Sequence, residues 1–328
     1  MASVWGALRR LILAPSLDEV GFAGRGFEVE PTEGTRHLEA VPQAVVCGFE
    51  WGIADRDLAE TERRLSMVDQ ELRGFAYEGA TMACVVRDAM GPRGGDRTRT
   101  LLEGGGRPHI FLNYIGVGFA MARLPRPLWK KALPVLTDAD LYPAMSWLAV
   151  DGYGFDLAYF HTRRWVGEQR VPEPYPFEGD AAYFPRAVDQ GIGRALWFIH
   201  GGCTDRVAAA VHAFAADRQA DLWSGVGLAA TFAGGSAPAG LAALRTASGH
   251  HAPHLAQGSV FAAKGRHRAG FVPRHTRQAA HAFTGLDVDS LARLADDCAP
   301  DGAATGNGPA YETWRRNTRE RFFANASS

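Results

Sequence analysis

The stretch ADLWSGVGLAATFAGG, residues 220–235, places Gly225 and Gly227 inside a run of small and apolar residues that is long enough for a helix. Two other segments are similar to it, FAYEGATMACVV at residues 75–86 and VDGYGFDLAYF at residues 150–160. Glycine inside a helix costs about 1 kcal/mol relative to alanine. Glycines at such positions therefore indicate that another backbone or a ligand approaches the helix closely.

Each of these segments follows an earlier glycine-rich segment, at residues 44–52, 115–123 and 190–198. The spacing is 75 residues from Gly79 to Gly154, 73 from Gly154 to Gly227 and 75 from Gly118 to Gly193. This regularity predicts about three similar units with a divergent remnant, over residues 40–90, 110–165, 185–240 and 250–298. We predict one helical domain over residues 1–310, followed by a basic amphipathic tail over residues 311–328.

Helical periodicity dominates the sequence between the glycine segments. One predicted helical face has the spacing 4, 3, 4, 3 and consists of Ala54, Leu58, Thr61, Leu65 and Val68. Near the C-terminus, Thr276 and Asp287 are predicted N-caps, and Gly285 is a predicted helix end. The apolar runs at residues 109–115 and 195–200 fit buried strands equally well. The predicted fold is therefore mainly α and multi-helical, with α+β as the alternative.

Composition excludes several classes of protein. Hydrophobic residues make up 46% of the chain and charged residues 22%, which is typical of a globular protein. The net charge of −1 argues against a nucleic-acid binder. No stretch has the roughly 18 uncharged apolar residues of a membrane span. The four cysteines form no CxxC pair, which indicates reduced thiols and predicts a soluble cytoplasmic protein.

Two explanations of the glycine helices remain open. The first is a tight helix crossing, and the second is an elongated apolar cavity whose floor is opened by the missing side chains. The cavity hypothesis assigns six aromatic residues to substrate binding, namely Trp51, Phe119, Trp147, Phe155, Trp197 and Trp223.

Cofactor and metal motifs are weak. Gly225, Gly227 and Ala230 match GxGxxA, but no strand precedes them, as a dinucleotide site requires. The histidines at 250, 251 and 254 include no HExxH motif, and a solvated loop explains them better than a metal site. The sequence therefore indicates no cofactor and no metal.

Ionisable residues within the small-residue segments are the candidate catalytic groups. They are Glu78, Asp151, Asp156, His161 and Lys264. A carboxyl group among apolar neighbours can keep its proton near neutral pH and act as a general acid, and a buried lysine can act as a base. The structural alternative pairs Glu78 or Asp151 with an arginine or a backbone amide.

The tail sequence YETWRRNTRERFF alternates aromatic residues with arginines. It predicts a helix that either docks with a solvated arginine face or binds an acidic partner such as an acyl carrier domain.

The amino-acid sequence of several segments resembles that of a bacterial protein family of undefined function. Members of this family are encoded beside the iterative polyketide synthases of enediyne antibiotic clusters. The segments include RRLILAPSLDEVGFAGRGF, GVGFAMARLPRP, DQGIGRALWFI and RHRAGFVPRHT, and the resemblance covers nearly the whole chain in order. Relatives often have His and Glu after GYGF, where this chain has Asp156 and Leu157.

The resemblance implies an accessory protein of enediyne or related polyketide biosynthesis, with an apolar polyene intermediate as its ligand. Its partners would be a polyketide synthase or carrier domain and other pathway proteins. Combined with the candidate acids, this predicts a tailoring enzyme that assists rearrangement, desaturation or cyclisation. The alternative is a non-catalytic binding or scaffold protein that shields an unstable intermediate, and a helical repeat used only for protein contacts is a third possibility.

Overall fold

The computed structural model describes residues 16–91, 95–136, 138–300 and 308–323. This part of the chain contains fifteen α-helices: α1 Leu17–Val20, α2 Glu33–Ala54, α3 Leu58–Ser66, α4 Gln70–Met90, α5 Arg97–Glu103, α6 Ile110–Arg123, α7 Leu148–Phe160, α8 Phe184–Ile199, α9 Thr204–His212, α10 Ala216–Ala233, α11 Pro238–Ser248, α12 Ala252–Arg268, α13 Arg274–Thr284, α14 Val288–Asp297 and α15 Ala310–Phe323.

The mainly α prediction is confirmed, and the α+β alternative is wrong. The two runs that also fitted strands lie in α6 and α8. Within the described ranges, extended pairing is limited to one isolated bridge between Phe177 and Asp180. The segment between Gly91 and Pro108, which has the composition of a loop, contains the two-turn helix α5.

Side-chain caps define several helix starts. Asp57 accepts a hydrogen bond from the Ala59 amide, and Asp69 accepts one from the Glu71 amide. The predicted cap Asp287 accepts from the Ser290 amide, and Gly285 ends α13 in the left-handed conformation. Thr276 is not a cap, because α13 begins two residues earlier and the Thr276 hydroxyl donates to the Thr231 carbonyl.

The described chain belongs to two compact units. Unit 1 comprises Met1–Phe27 and Glu39–Tyr153, and unit 2 comprises Glu28–Leu38 and Gly154–Ser328. The first 15 residues of the predicted helical domain and the last five of the predicted tail lie outside the described residues.

Helices α8, α10 and α12 of unit 2 cross at their glycines. A methyl group at Gly193 would overlap the Leu222 carbonyl, and one at Gly225 would overlap the Gln190 carbonyl. The same relation joins the next pair of helices, in which Gly227 faces the Leu255 carbonyl and Gly258 faces the Ser224 carbonyl. Each glycine therefore faces the carbonyl three residues before its partner glycine, and the two backbones are in direct contact.

The GxG spacing follows from this arrangement. Residues two apart on a helix are separated by about 200° around its axis. Gly225 therefore faces α8 while Gly227 faces α12, and one helix contacts two neighbours through its backbone. At this separation a glycine Cα–H can point at a carbonyl oxygen, a weak hydrogen bond that recurs at helix interfaces.

Two helix crossings in unit 1 also place each glycine against a carbonyl of the neighbouring helix. Gly48 of α2 and Gly79 of α4 face the Ala76 and Val45 carbonyls, and Gly118 of α6 and Gly152 of α7 face the Ala149 and Ile115 carbonyls. These contacts align Gly79 with Gly152 and Gly225, which are spaced by 73 residues. The sequence-based alignment, which matched Gly79 with Gly154 and Gly227, is thus displaced by two residues from the alignment that the helix contacts give.

Candidate functional site

The glycine helices are packed backbone to backbone in both units. At the crossings described above, an added Cβ would lie closer than 3.0 Å to a carbonyl oxygen of the neighbouring helix. A backbone oxygen cannot move aside as the end of a flexible side chain can. The space that the glycines leave is therefore filled by main-chain atoms, as the tight-crossing explanation requires.

The predicted substrate-binding aromatics pack against protein atoms. In unit 1, Trp147 is fully buried, Phe119 is buried, and Trp51 packs against the core cluster around Leu65. In unit 2, Trp197 and Trp223 are completely buried. The Trp197 indole donates to the Gly234 carbonyl at 2.7 Å.

Phe155 is half-buried, as is Trp51. Its ring stacks on Tyr159 with a centroid separation of 5.4 Å and meets Phe198 edge-on at 5.5 Å. The Arg194 guanidinium lies 5.1 Å from the Phe155 ring centroid. Phe155 is thus part of an aromatic and cationic side-chain cluster of unit 2.

Two predicted acids are buried in unit 1. Glu78 on α4 is 1% exposed and Asp151 on α7 is 0% exposed. Both take part in hydrogen-bonding or electrostatic interactions. Their helices both cross α6, where the Glu78 carbonyl faces Gly116 and Gly152 faces the Ile115 carbonyl.

The other three candidate catalytic residues lie in unit 2. Asp156 is 3% exposed, whereas His161 is exposed just after the end of α7. The Lys264 ammonium forms a 2.6 Å ion pair with Asp296 of α14. The structure therefore gives Lys264 an anionic partner and does not show it in contact with His161.

Two adjoining surface pockets lie in unit 1. Their volumes are about 620 and 360 Å³, and their linings share Gly95 and Asp96. The remaining lining residues are Arg56, Asp57, Leu58, Arg97 and Thr100 in the larger pocket and Asp88, Thr98, Arg99, Lys131 and Pro134 in the smaller one. None of the predicted site residues lines either pocket.

The most extensive polar arrangement among the described residues is one that the sequence did not predict. We call it the arginine cluster, and it consists of Tyr183, Arg186, Asp221, Gln257, Glu312, Arg315 and Arg319. Helices α8, α10, α12 and α15 of unit 2 supply all but Tyr183, which immediately precedes α8. The tail helix α15 therefore packs two of its arginines inward.

Arg315 is the centre of the arginine cluster and is 0% exposed. Its Nη2 lies 2.8 Å from Asp221 Oδ1, and its Nη1 donates to Glu312 Oε2 at 3.1 Å. Its Nε donates to Gln257 Oε1 at 3.1 Å, and Nη1 also donates to the Tyr183 hydroxyl at 2.6 Å. One guanidinium thus joins α10, α12 and α15 to the residue that precedes α8.

Charge pairing fixes the protonation states in the arginine cluster. Burial raises the pKa of Glu312, but Arg315, Arg319 and Arg186 together lower it to about 2. Burial raises the pKa of the Tyr183 phenol well above its ordinary value. At neutral pH the cluster therefore contains an ionised carboxylate and a protonated phenol, and neither is poised to exchange a proton.

The carboxyl group of Asp189 on α8 has a pKa closer to neutrality than that of Glu312. Burial raises its pKa to about 6, against the opposing effect of Arg218. The Arg218 Nη2 donates to Asp189 Oδ1 at 2.6 Å, and Nη1 donates to the Gln169 carbonyl at 2.8 Å. Arg218 therefore links this acid to the segment that follows α7.

Three neighbouring histidines lie just before and at the start of α12. The His250 and His251 ring centroids are 3.9 Å apart, and those of His251 and His254 are 5.9 Å apart. Among the described residues they do not form a group of three close metal-ligating atoms. They lie in a 3₁₀ turn and in the first turn of α12, where a solvated loop was predicted.

Acidification is expected to destabilise unit 2 through His254. Burial, followed by the charges of Arg319 and Arg315, lowers the pKa of His254 from 6.5 to about 3. Because the folded state binds this proton more weakly than the unfolded chain, the stabilisation is complete above pH 6.5 and is lost as the pH falls towards 3. Urea denaturation should show a steeper loss of unfolding free energy on acidification for the wild type than for His254→Asn. Parallel pH profiles would contradict this assignment.

The sequence comparisons give a family. The model of the family described as protein of unknown function, DUF1702, matches residues 4–322. The chain belongs to the DUF1702 family. No curated protein and no solved structure matches it. None of the helices described for this DUF1702 protein has both the length and the apolar content needed to cross a bilayer.

Proposed function

We propose that this DUF1702 protein is a non-catalytic accessory protein of polyketide natural-product biosynthesis, which acts as a scaffold for partner proteins and the apolar intermediate they carry. The observation that supports this proposal is that carbonyl oxygens of neighbouring helices occupy the space beside the helix glycines. Close-packed helices are suited to presenting a surface. The polyketide context, including the enediyne association, comes from the sequence resemblance.

The exposed face of α15 is the surface that we assign to the partner. Arg315 and Arg319 point inward, whereas Arg316, Glu320 and Arg321 are exposed and Phe323 is 48% exposed. This combination of positive charge and an exposed aromatic ring complements an acidic domain that carries an apolar chain. We therefore propose an acyl carrier domain of the partner synthase as the ligand of α15.

Titration calorimetry at low salt tests this proposal. We expect the full chain to bind the carrier domain of a polyene-forming synthase, and the double variant Arg316→Glu, Arg321→Glu to weaken binding by about tenfold or more because both charges are reversed. The double variant Arg63→Glu, Arg163→Glu is the matched control, since it also reverses two charges, on side chains that are 68% and 93% exposed and lie outside α15. Absence of wild-type binding, or equal weakening by the control, would overturn the assignment.

Acid–base catalysis is the second candidate function. The specific observation in its favour is Asp189, a buried carboxyl group whose pKa of about 6 allows proton exchange near neutrality. Glu78 and Asp151 are further buried acids on the glycine helices. This candidate predicts conversion of a polyene by the purified chain, with loss of that conversion in Asp189→Asn.

A further inference from the structure

Two histidines of unit 2 lie together at the C-terminal end of α10. His37 is near the start of α2, and His275 is the second residue of α13. Their ring centroids are 5.3 Å apart, and the rings meet edge-on. A ring nitrogen of one lies within 4.8 Å of a ring nitrogen of the other. The fold therefore pairs two imidazoles that are far apart in the sequence.

The last carbonyls of α10 fix the orientation of both rings. The Ala233 carbonyl accepts from His37 Nε2 at 3.0 Å, and the Phe232 carbonyl accepts from His275 Nε2 at 3.1 Å. Because a carbonyl oxygen can only accept, Nε2 carries the hydrogen in each ring, and the lone pair of the neutral imidazole is on Nδ1. Histidines that bind a metal are commonly oriented in this way, through a carbonyl on the other ring nitrogen.

Contacts around the end of α10 hold these carbonyls in place. Gly234 follows α10 with a φ of 71°, and a Cβ at this residue would lie 2.6 Å from His275 Cγ. The Phe232 carbonyl also accepts from Arg266 Nη2 at 2.6 Å. The His275 ring thus packs directly on the backbone that orients it, and larger residues than glycine do not fit there.

The spacing of the two rings suits a single tetrahedral metal ion. Zn–N bonds are about 2.1 Å long, so two imidazoles on one tetrahedral zinc have ring centroids about 5 Å apart. The separation of 5.3 Å between His37 and His275 is close to this value. The C-terminal end of a helix carries a partial negative charge, which favours a cation beside α10. Both rings are half-buried, so an ion and the water that completes its coordination can reach them.

We propose that His37 and His275 form a binding site for one divalent transition-metal ion of the Zn²⁺ class, with Nδ1 of each ring as a ligand. Imidazole nitrogen suits Zn²⁺, Cu²⁺ and Ni²⁺, whereas Mg²⁺ and Ca²⁺ prefer oxygen ligands. Two protein ligands leave coordination positions for water or for a group of a bound molecule. The site uses no residue of α15, so it does not depend on the partner surface proposed above.

Titration calorimetry of the metal-free, untagged full chain with zinc chloride tests this proposal. We expect one zinc ion per chain, and binding at least about tenfold weaker for His37→Gln and for His275→Gln. Glutamine can place its Nε2 donor where the imidazole Nε2–H stood, so the hydrogen bond to the carbonyl is retained while Nδ1 is removed. Each variant should therefore melt within about 3 °C of the wild type in EDTA.

His250→Gln is the matched control, because it removes an exposed histidine that lies beside His251. This control should bind zinc as the wild type does. Electron paramagnetic resonance of the Cu²⁺-loaded wild type should show splitting from two imidazole nitrogens, and each single variant should show splitting from one. Absence of zinc binding by the wild type, its loss in His250→Gln, or unchanged binding in both His37→Gln and His275→Gln would overturn the proposal.

Discussion

Gly225→Ala is expected to lower the free energy of unfolding of unit 2 by about 3 kcal/mol or more. The new methyl group would overlap the Gln190 carbonyl and lie 2.8 Å from the Arg194 amide nitrogen. Because both are backbone atoms of α8, the two helices must separate to accept it. Urea denaturation followed by circular dichroism measures the loss.

The cavity explanation predicts that Gly225→Ala raises the free energy of unfolding. If the missing side chain served only to leave room for a guest, alanine would improve helix propensity and stabilise the free protein by about 1 kcal/mol. Gly167→Ala is the matched control, since no atom lies within 4 Å of its added Cβ. We expect that control to change stability by no more than about 0.5 kcal/mol. A neutral or stabilising Gly225→Ala would contradict the close crossing.

Arg315→Met is expected to cost about 3–5 kcal/mol of unfolding free energy. Methionine fills much of the volume but leaves Asp221 without its 2.8 Å ion pair and removes one of the three guanidiniums that hold Glu312 ionised. It also removes the donors to Gln257 and Tyr183. The measurement is equilibrium denaturation of the variant and the wild type.

Arg316→Met tests whether this effect belongs to the buried position. The two residues are adjacent on α15, but Arg316 is exposed, so its replacement should change stability by no more than about 0.5 kcal/mol. A comparable loss in both variants would indicate a general effect of charge on α15. An undiminished stability of Arg315→Met would show that the arginine cluster does not hold the helix in place.

The sequence was sufficient to predict helices, because periodicity, caps and helix-ending glycines are local features. Glycines such as Gly225 and Gly227 also predicted close approach. They could not show what approaches, since a carbonyl oxygen and a flat ligand both need the space that is left when the Cβ is absent. The two-residue displacement of the repeat alignment has the same origin, because GxG presents a glycine to each of two neighbouring helices.

The arginine cluster could not be predicted from local sequence. Its residues come from separate helices, and each arginine of the tail is by itself consistent with a solvated face. One signal was available in the helical spacing of Tyr311, Arg315, Thr318 and Phe322, which places Arg315 on the same side as apolar residues. The carboxylates that make burial of Arg315 favourable lie on α10 and α15, so their proximity follows only from the fold.

Turnover of a polyene by the purified chain tests most directly whether the protein is non-catalytic. A linear conjugated polyene released by a polyene-forming synthase would be incubated with the purified full chain alone, and its absorption spectrum and products followed. A non-catalytic scaffold should leave the spectrum unchanged and give no new product, for the wild type and for Asp189→Asn alike. Conversion by the wild type that is lost in Asp189→Asn, Glu78→Gln or Asp151→Asn, with each variant still folded, would contradict it.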